Sequence, residues 1–195
     1  KGVSATGGKF VWKDDQETPN SLQSSFDFGD AQITFDTRNL PTPREGLKPM
    51  TGPSYVGNIF FGDLGFMVVD MDGFQVYKSA VGNLDPTKTH GAGAARNEKY
   101  ELTMDEKAKE SDDDATVPHM KNFLDAVRSR DYKHLTADIE IGAHSACYVH
   151  LANISYRMGR SLRVSQSTGK FLEADDANAL LTRDYREPFI VPNEV

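Results

Sequence analysis

The sequence predicts an α+β fold: an open, mostly antiparallel β-sheet with helices packed on one face. Short runs of alternating apolar and polar residues, separated by tight turns, fill the first part of the chain. Helical periodicity is concentrated in the second part. A chain in which the strands come first and the helices later is typical of an α+β fold with separate layers. In a parallel α/β fold, strands and helices would alternate along the chain. We therefore interpret residues 1–195 as a single domain.

Two pairs of runs are typical of β-hairpins. Residues 24–28 and 32–36 alternate on either side of Gly29-Asp30, and Gly29 supplies the positive φ of a tight turn. Residues 66–69 and 74–77 lie on either side of Asp72-Gly73. Tight turns between consecutive runs predict antiparallel pairing, and about six strands are expected in all.

The other predicted strands and loops are less regular. The first strand is expected to include Val3 and to continue through Phe10–Trp12, interrupted by glycine at positions 7 and 8. Residues 40–53 are rich in proline and glycine, which predicts a loop. Residues 79–115 have no clear period, and we expect a long surface excursion with one short strand near residues 99–103.

Two long helices are predicted in the second part. Thr116 is a good N-cap and Pro118 is tolerated in the first turn. The apolar face of this helix is Val117, Met120, Phe123, Leu124 and Val127. A second helix is expected after Thr136 and ends at Gly159, a favourable C′ residue. A short strand at 162–164 and a brief helix near 175–181 follow.

Composition excludes several classes of function. The net charge of −7 and the scattered Lys and Arg residues argue against nucleic-acid binding. No apolar run approaches the ~20 residues of a membrane span. The single cysteine, Cys147, rules out an internal disulfide and a cysteine-rich metal site. Cytoplasmic and periplasmic locations both stay open.

Nucleotide and metal motifs are absent from the sequence. No G-x-G-x-x-G follows a strand and opens a helix, and no Walker loop or H-E-x-x-H is present. Gly91–Ala95 is rich in glycine, but the pattern predicts neither a strand before it nor a helix after it. We expect no metal and no cofactor to be bound by this chain.

Arg38, Asn58 and His144 are candidates for substrate contact. Arg38 ends a predicted strand, where its guanidinium would bind a carboxylate or a sugar hydroxyl; the alternative is a surface ion pair. Asn58 is unusual in a strand and would either face a ligand or cap a bulge beside Gly57. His144, near Glu140, would act as a general acid or base, or would pack at a helix interface.

Several segments taken together resemble the glucose–fructose oxidoreductase, inositol dehydrogenase and MocA family. Residues 119–128, HMKNFLDAVR, resemble the family pattern H-x-x-N-F-L-x-A-[VI]-R. Residues 57–65 are similar to its G-x-x-F-x-G-x-x-G turn. Residues 137–145 and 151–160 and the ending LLTRDYREPF at 180–189 are also similar. The order and spacing of the motifs carry more weight than any one of them.

The resemblance implies a C-terminal domain that binds substrate and forms oligomers. Family members join it to an N-terminal Rossmann domain that binds NAD or NADP, and hydride passes to or from a sugar or polyol. The glycine fingerprint and the Glu-Lys-Pro motif are absent here, so we expect the Rossmann domain to lie upstream of Lys1 and this chain to be inactive alone. His119 joins Arg38, Asn58 and His144 as expected substrate contacts.

Three further expectations follow from the resemblance. The apolar run at residues 66–69 suggests that the second face of the sheet is covered by a partner subunit, which predicts a homo-oligomer. A standalone sugar-binding or dimerisation module without redox activity is one alternative. A family member that uses NAD for hydrolysis or elimination on a glycoside is another.

Overall fold

The computed structural model describes residues 1–39, 56–70, 73–79, 100–107 and 116–191. The strands are Gly2–Gly8 (β1), Ser21–Asp27 (β2), Gln32–Arg38 (β3), Gly57–Gly62 (β4), Gly65–Asp70 (β5), Gly73–Ser79 (β6), Tyr100–Lys107 (β7) and Leu162–Arg163 (β8). The helices are Thr116–Ser129 (α1), Ile139–Met158 (α2) and Asp175–Asn178 (α3). Short 3₁₀ turns occupy Tyr132–His134 and Ala179–Leu181.

The predicted fold class is confirmed, because the described strands pair antiparallel and helices pack against them. The strands form two four-stranded sheets, in the orders β3-β2-β1-β8 and β4-β5-β6-β7, where the sequence suggested one. The chain groups into two compact units, residues 1–41 with 121–195 and residues 42–120. The single-domain organisation stays a prediction.

The core of the first unit lies between α2 and the sheet. Val3 and Phe26 are opposite each other on β1 and β2, and both are buried. Leu151 and Ile154, one helical turn apart on α2, belong to the same buried cluster. Ala152 on the same helix also belongs to the cluster, and its remaining members come from the C-terminal part of the chain: Leu162, Phe171, Ala174 and Ala177. Helix α2 therefore fastens the C-terminal segment to the two N-terminal strands.

Helix α2 has the predicted ends. Asp138 is the N-cap, and its side chain accepts hydrogen bonds from the backbone amides of Glu140 and Ile141 at 2.9 and 3.1 Å. Gly159 ends the helix in the left-handed conformation at φ 64°. Only the C-terminal half of the helix is buried, while residues 139–146 are exposed.

The first predicted hairpin is confirmed. β2 and β3 pair in register, Gly29 has φ 96°, and the amide of Phe28 donates to the carbonyl of Ala31 at 2.9 Å. The burial of the two apolar faces differs from the expectation, because Phe26 is buried whereas Ile33 and Phe35 on β3 are each 52% exposed. β3 is an edge strand of this sheet.

The expected continuation of β1 into Phe10–Trp12 is wrong. The strand ends at Gly8, and the side chain of Asn20 forms hydrogen bonds with the backbone amide and carbonyl of Phe10. The amide of Phe10 donates to Asn20 Oδ1 at 2.8 Å, and Asn20 Nδ2 donates to the Phe10 carbonyl at 2.7 Å. Backbone groups bonded to a side chain in this way cannot join a strand ladder.

The second unit contains a sheet that is apolar on both faces. Because side chains alternate along a strand, one face carries Ile59, Phe61, Phe66, Val68, Tyr77 and Leu102. The other face carries Phe60, Met67, Val69, Phe74, Val76 and Met104. All twelve side chains are half-buried or exposed. The predicted pairing of residues 66–69 with 74–77 is confirmed, although Asp72 in its turn lies outside the described residues.

Helix α1 begins at the predicted position, but its apolar face is exposed. Val117, Met120, Phe123, Leu124 and Val127 are all accessible to solvent, and Ala126 is the buried residue of this helix. A helix with an exposed apolar stripe normally has a partner surface. The predicted strands near 99–103 and 162–164 and the helix near 175–181 are present, and the loop at 40–53 lies outside the described residues.

A second asparagine side chain holds the C-terminal segment in place. Asn178 accepts from the amide of Phe171 at 2.9 Å and donates to its carbonyl at 2.8 Å. The ring of Phe171 is buried in the core, and these two hydrogen bonds hold the backbone that positions it there. Arg160 adds an exposed ion pair with Asp176 at 2.7 Å, which also lowers the pKa of the Asp176 carboxyl.

We predict that Asn178→Ala destabilises the protein by about 1–3 kcal/mol, because it leaves both backbone groups of a buried residue without partners. Chemical denaturation followed by circular dichroism measures the change. Asn39→Ala is the control, since it removes an exposed side chain and keeps the backbone amide that donates to Asn20. Equal stability of the two variants would contradict the role given to Asn178.

Candidate functional site

Arg38 lies at the end of β3 and is paired with Asp36, two residues earlier on the same side of the strand. Its Nε donates to Asp36 Oδ1 at 2.9 Å, and an Nη atom donates to Oδ2. This fork of two hydrogen bonds from Arg38 holds the pKa of the Asp36 carboxyl below its ordinary value. The surface ion pair considered as the alternative for Arg38 is therefore present.

Asn58 lies on β4 in the second unit and is exposed. It pairs with Val69, and the register of β4 with β5 is regular from Gly57 to Gly62. The alternative that Asn58 caps a bulge is wrong; the irregularity in this sheet lies between Val76 and Tyr77. On its face Asn58 is a polar neighbour of Phe60, so its contact with a ligand stays a prediction.

The two candidate histidines are exposed on different helices. His119 is in the first turns of α1, and His144 is in the N-terminal half of α2. Arg38 and His144 belong to the first unit, and Asn58 and His119 to the second. The structure thus does not gather the four candidates within one compact unit, and their substrate contacts stay predictions.

The corner between α1 and α2 is held by Asn122, to which the sequence analysis assigned no role. Its Nδ2 donates to the carbonyl of His134 at 2.8 Å. Its Oδ1 accepts from the amide of Thr136 at 3.1 Å and from the Thr136 hydroxyl at 3.3 Å. His134 also lies 3.2 Å from Asp131. Asn122 is the asparagine of the H-x-x-N-F-L segment and a polar residue beside the apolar stripe of its helix. That position is the sequence signal that could have identified its role.

The loop between β1 and β2 is a second feature that the sequence analysis missed. We call residues 9–20 the Asn20 loop. Lys9 Nζ lies 2.6 Å from Asp14 Oδ1, and the amide of Gln16 donates to the same oxygen at 3.0 Å. The hydrogen bond from Lys9, followed by that from Gln16, lowers the pKa of the Asp14 carboxyl. Hydrogen bonds within the loop therefore hold most of its length in one conformation.

The N-terminus of α2 does not suit a dinucleotide. A pyrophosphate binds to free backbone amides at a helix N-terminus. At α2 the side chain of Asp138 already accepts from two of these amides, and its negative charge would repel phosphate. The glycine-rich segment Gly91–Ala95 lies outside the described residues.

Neither a metal site nor a membrane-spanning helix is found among the described residues. Within the described ranges, no group of three or more His, Cys, Asp and Glu side chains is arranged to hold a metal ion. Over the same residues, no helix is long and apolar enough to cross a membrane.

Comparison with protein families gives a match in the C-terminal half of the chain. Residues 99–191 match the model of a family described as "Oxidoreductase family, C-terminal alpha/beta domain", the C-terminal domain of the glucose–fructose oxidoreductase, inositol dehydrogenase and MocA group. These residues are therefore similar to the C-terminal domain of that oxidoreductase family. The matched segment of the oxidoreductase-family domain contains α1, α2, β8 and α3, and with them Asn122 and both candidate histidines. Comparison with curated proteins and with solved structures gave no significant match.

We predict that Arg38→Met raises the pKa of Asp36 toward its ordinary value of 3.8, because the variant removes both donors that favour the charged carboxylate. Carboxyl chemical shifts followed by NMR between pH 7 and pH 2 measure the change. With Arg38 in place, the stability contributed by ionised Asp36 is present above pH 3.8 and is lost as the pH falls through the lowered pKa.

Asp14 is the internal control for this titration, since Lys9 lowers its pKa independently of Arg38. Its titration curve should be the same in both proteins. An Asp36 curve that does not move in the variant would show that Arg38 is not the cause of the lowered pKa.

Proposed function

We propose that this chain is the substrate-binding and oligomerisation domain of an NAD(P)-dependent oxidoreductase that acts on a sugar or polyol. The family match to an oxidoreductase C-terminal domain supports the general class. The cofactor would be bound by a nucleotide-binding domain of the parent protein, and hydride transfer would require that domain. On this proposal the chain shapes the substrate pocket and does not catalyse the redox step alone.

The observation that carries the oligomerisation role is the sheet formed by β4 to β7. A sheet in water normally has one apolar face, and this one has two. Phe60 and Phe61 are 55% and 81% exposed on opposite faces of β4, and Met104 on β7 is 53% exposed. Exposed apolar area of this kind typically marks an interface with another protein surface. We propose that a second copy of the chain covers the face that carries Phe61.

The aromatic row on that face supports the choice between the two faces. The rings of Phe66 and Tyr77 stack at a centroid distance of 4.7 Å, and Phe61 lies 6.2 Å from Phe66. Aromatic side chains are enriched at the centres of protein interfaces, where they bury a large area at little conformational cost. The row crosses three adjacent strands, so two copies related by a twofold axis would place aromatic rings against aromatic rings.

We predict that the chain does not bind NADH. Titration of NADH with the protein, monitored by the fluorescence of the nicotinamide, should show no saturable change up to about 1 mM, the upper end of the usual KM range. Saturable binding in the micromolar range would contradict the assignment of the cofactor site to another domain.

We predict that the purified chain sediments as a dimer or larger oligomer at micromolar concentration and that Phe61→Glu makes it monomeric. Placing a charge at a desolvated apolar contact removes the driving force for association and adds a desolvation penalty. Phe60→Glu is the matched control: the same substitution, one residue away on the same strand, directed to the opposite face.

Analytical ultracentrifugation of the three proteins measures the result, and circular dichroism establishes that each variant is folded. A monomeric parent chain would contradict the oligomerisation role. A monomeric Phe60→Glu variant beside an oligomeric Phe61→Glu variant would move the interface to the other face.

A further inference from the structure

The Asn20 loop contains a strained residue at its exposed tip. Val11 has φ 74°, in the left-handed region, where a β-branched side chain is disfavoured. Such a conformation persists only where the surroundings impose it, and strained residues of this kind are concentrated at binding and catalytic sites. Compact loops whose ends lie close together are also frequently functional. The strain at Val11 therefore indicates a functional role for the loop.

The loop is closed at its base by a buried group. Asn20 is 5% exposed, and its side chain holds both backbone groups of Phe10, the residue that precedes Val11. The amide of Asn20 donates to the carbonyl of Gly8 at 3.2 Å. Gly8 leaves room for the ring of Phe10, since a Cβ atom there would lie 2.6 Å from that ring. These contacts hold the backbone before Val11, and the amide of Trp12 donates to the Phe10 carbonyl at 3.0 Å across Val11.

The fixed loop presents aromatic rings and carboxylates to solvent. Phe10 and Trp12 are 50% and 45% exposed although aromatic side chains usually find apolar contacts. Asp15 and Glu17 are also exposed, and their carboxylates are hydrogen-bond acceptors. The carboxylate of Asp14 is already engaged, because it pairs with Lys9 and accepts a hydrogen bond from the amide of Gln16. A short loop that exposes both aromatic rings and carboxylates suits a ligand that has both C–H faces and hydroxyl donors.

We propose that the Asn20 loop contacts the polyhydroxylated substrate, with the ring of Trp12 against the C–H face of the sugar or polyol and Asp15 accepting hydrogen bonds from its hydroxyls. This rests on the proposed function and names an element of the substrate site. A small ligand is favoured over a protein partner, because a stable protein interface needs about 800 Å² from each side. Two rings and one valine on a short loop supply much less than that.

The single tryptophan makes the loop directly observable. Trp12 is the one tryptophan of the chain, so intrinsic tryptophan fluorescence reports on this loop alone. We expect myo-inositol or D-glucose, titrated to about 10 mM, above the usual KM range, to shift the emission of Trp12 in a saturable way. Isothermal calorimetry on the same samples gives the affinity independently of the fluorophore.

Two variants test the assignment by calorimetry. Asp15→Asn should weaken binding about tenfold or more, because it removes a charged acceptor. Asp30→Asn is the matched control, since Asp30 is an exposed aspartate in the β2–β3 turn outside the Asn20 loop. Its affinity should equal that of the parent chain.

Val11→Gly separates a binding role from a structural one. Glycine adopts a positive φ without steric cost, so this variant should melt at the same temperature as the parent or higher. Binding should nevertheless weaken, because the backbone on either side of Trp12 is no longer restricted. A purely structural loop would not combine unchanged or higher stability with lower affinity.

The outcomes distinguish this proposal from the proposed function on which it rests. Calorimetric binding with no fluorescence change and no effect of Asp15→Asn would overturn the loop assignment and leave the substrate role standing. No binding of either probe would overturn both. Loop variants that change the sedimentation of the protein while ligand affinity stays constant would show that the loop contacts protein, which also overturns this proposal.

Discussion

The packing of the C-terminal half of α2 against β1 and β2 is the contact on which the first unit depends. Leu151 and Ile154 meet Val3 and Phe26, and the segment that carries Phe171 closes the same cluster. Residues from both ends of the sequence meet in this cluster, so it forms only when distant parts of the chain come together. The edge-to-face contacts of Tyr148 with Phe26 and Phe28 extend it along the helix. Beyond Tyr148 the helix projects past this core with its N-terminal half exposed.

The exposed elements of the two units have something in common. The stripe of α1, the N-terminal half of α2 and the sheet of β4 to β7 are apolar in sequence and accessible to solvent. Burial of apolar surface is the main driving force for folding, so a domain that leaves this much uncovered is suited to association.

Much of the fold was predictable because local signals determine it. The β2–β3 turn follows from Gly29, and the ends of α2 follow from Asp138 and Gly159, residues whose conformational preferences act over one or two neighbours. The division into two sheets was not predictable, because strand alternation gives the period of a strand and not its partner. The predicted continuation of β1 was wrong for a related reason. The side chain of Asn20, ten residues from Phe10 in the sequence, forms hydrogen bonds with the amide and the carbonyl of Phe10.

The candidate site was harder to predict than the fold. Arg38 was expected either to bind a ligand at a strand end or to form a surface ion pair, and the two-residue spacing to Asp36 along a strand is the signal for the ion pair. Asn122 and the Asn20 loop depend on side-chain to backbone bonds across ten to fourteen residues, for which no sequence period exists.

Asn20 is also a residue whose deamidation would change the structure of the loop. Its Nδ2 donates to the carbonyl of Phe10, and deamidation would replace that donor with a carboxylate oxygen. Two acceptors would then face each other in a buried position, and the base of the loop would open. The serine at position 21 is a small neighbour of the kind that permits this reaction, and the burial of Asn20 slows it. Slow deamidation at this residue would therefore alter the loop before the α2 core is affected.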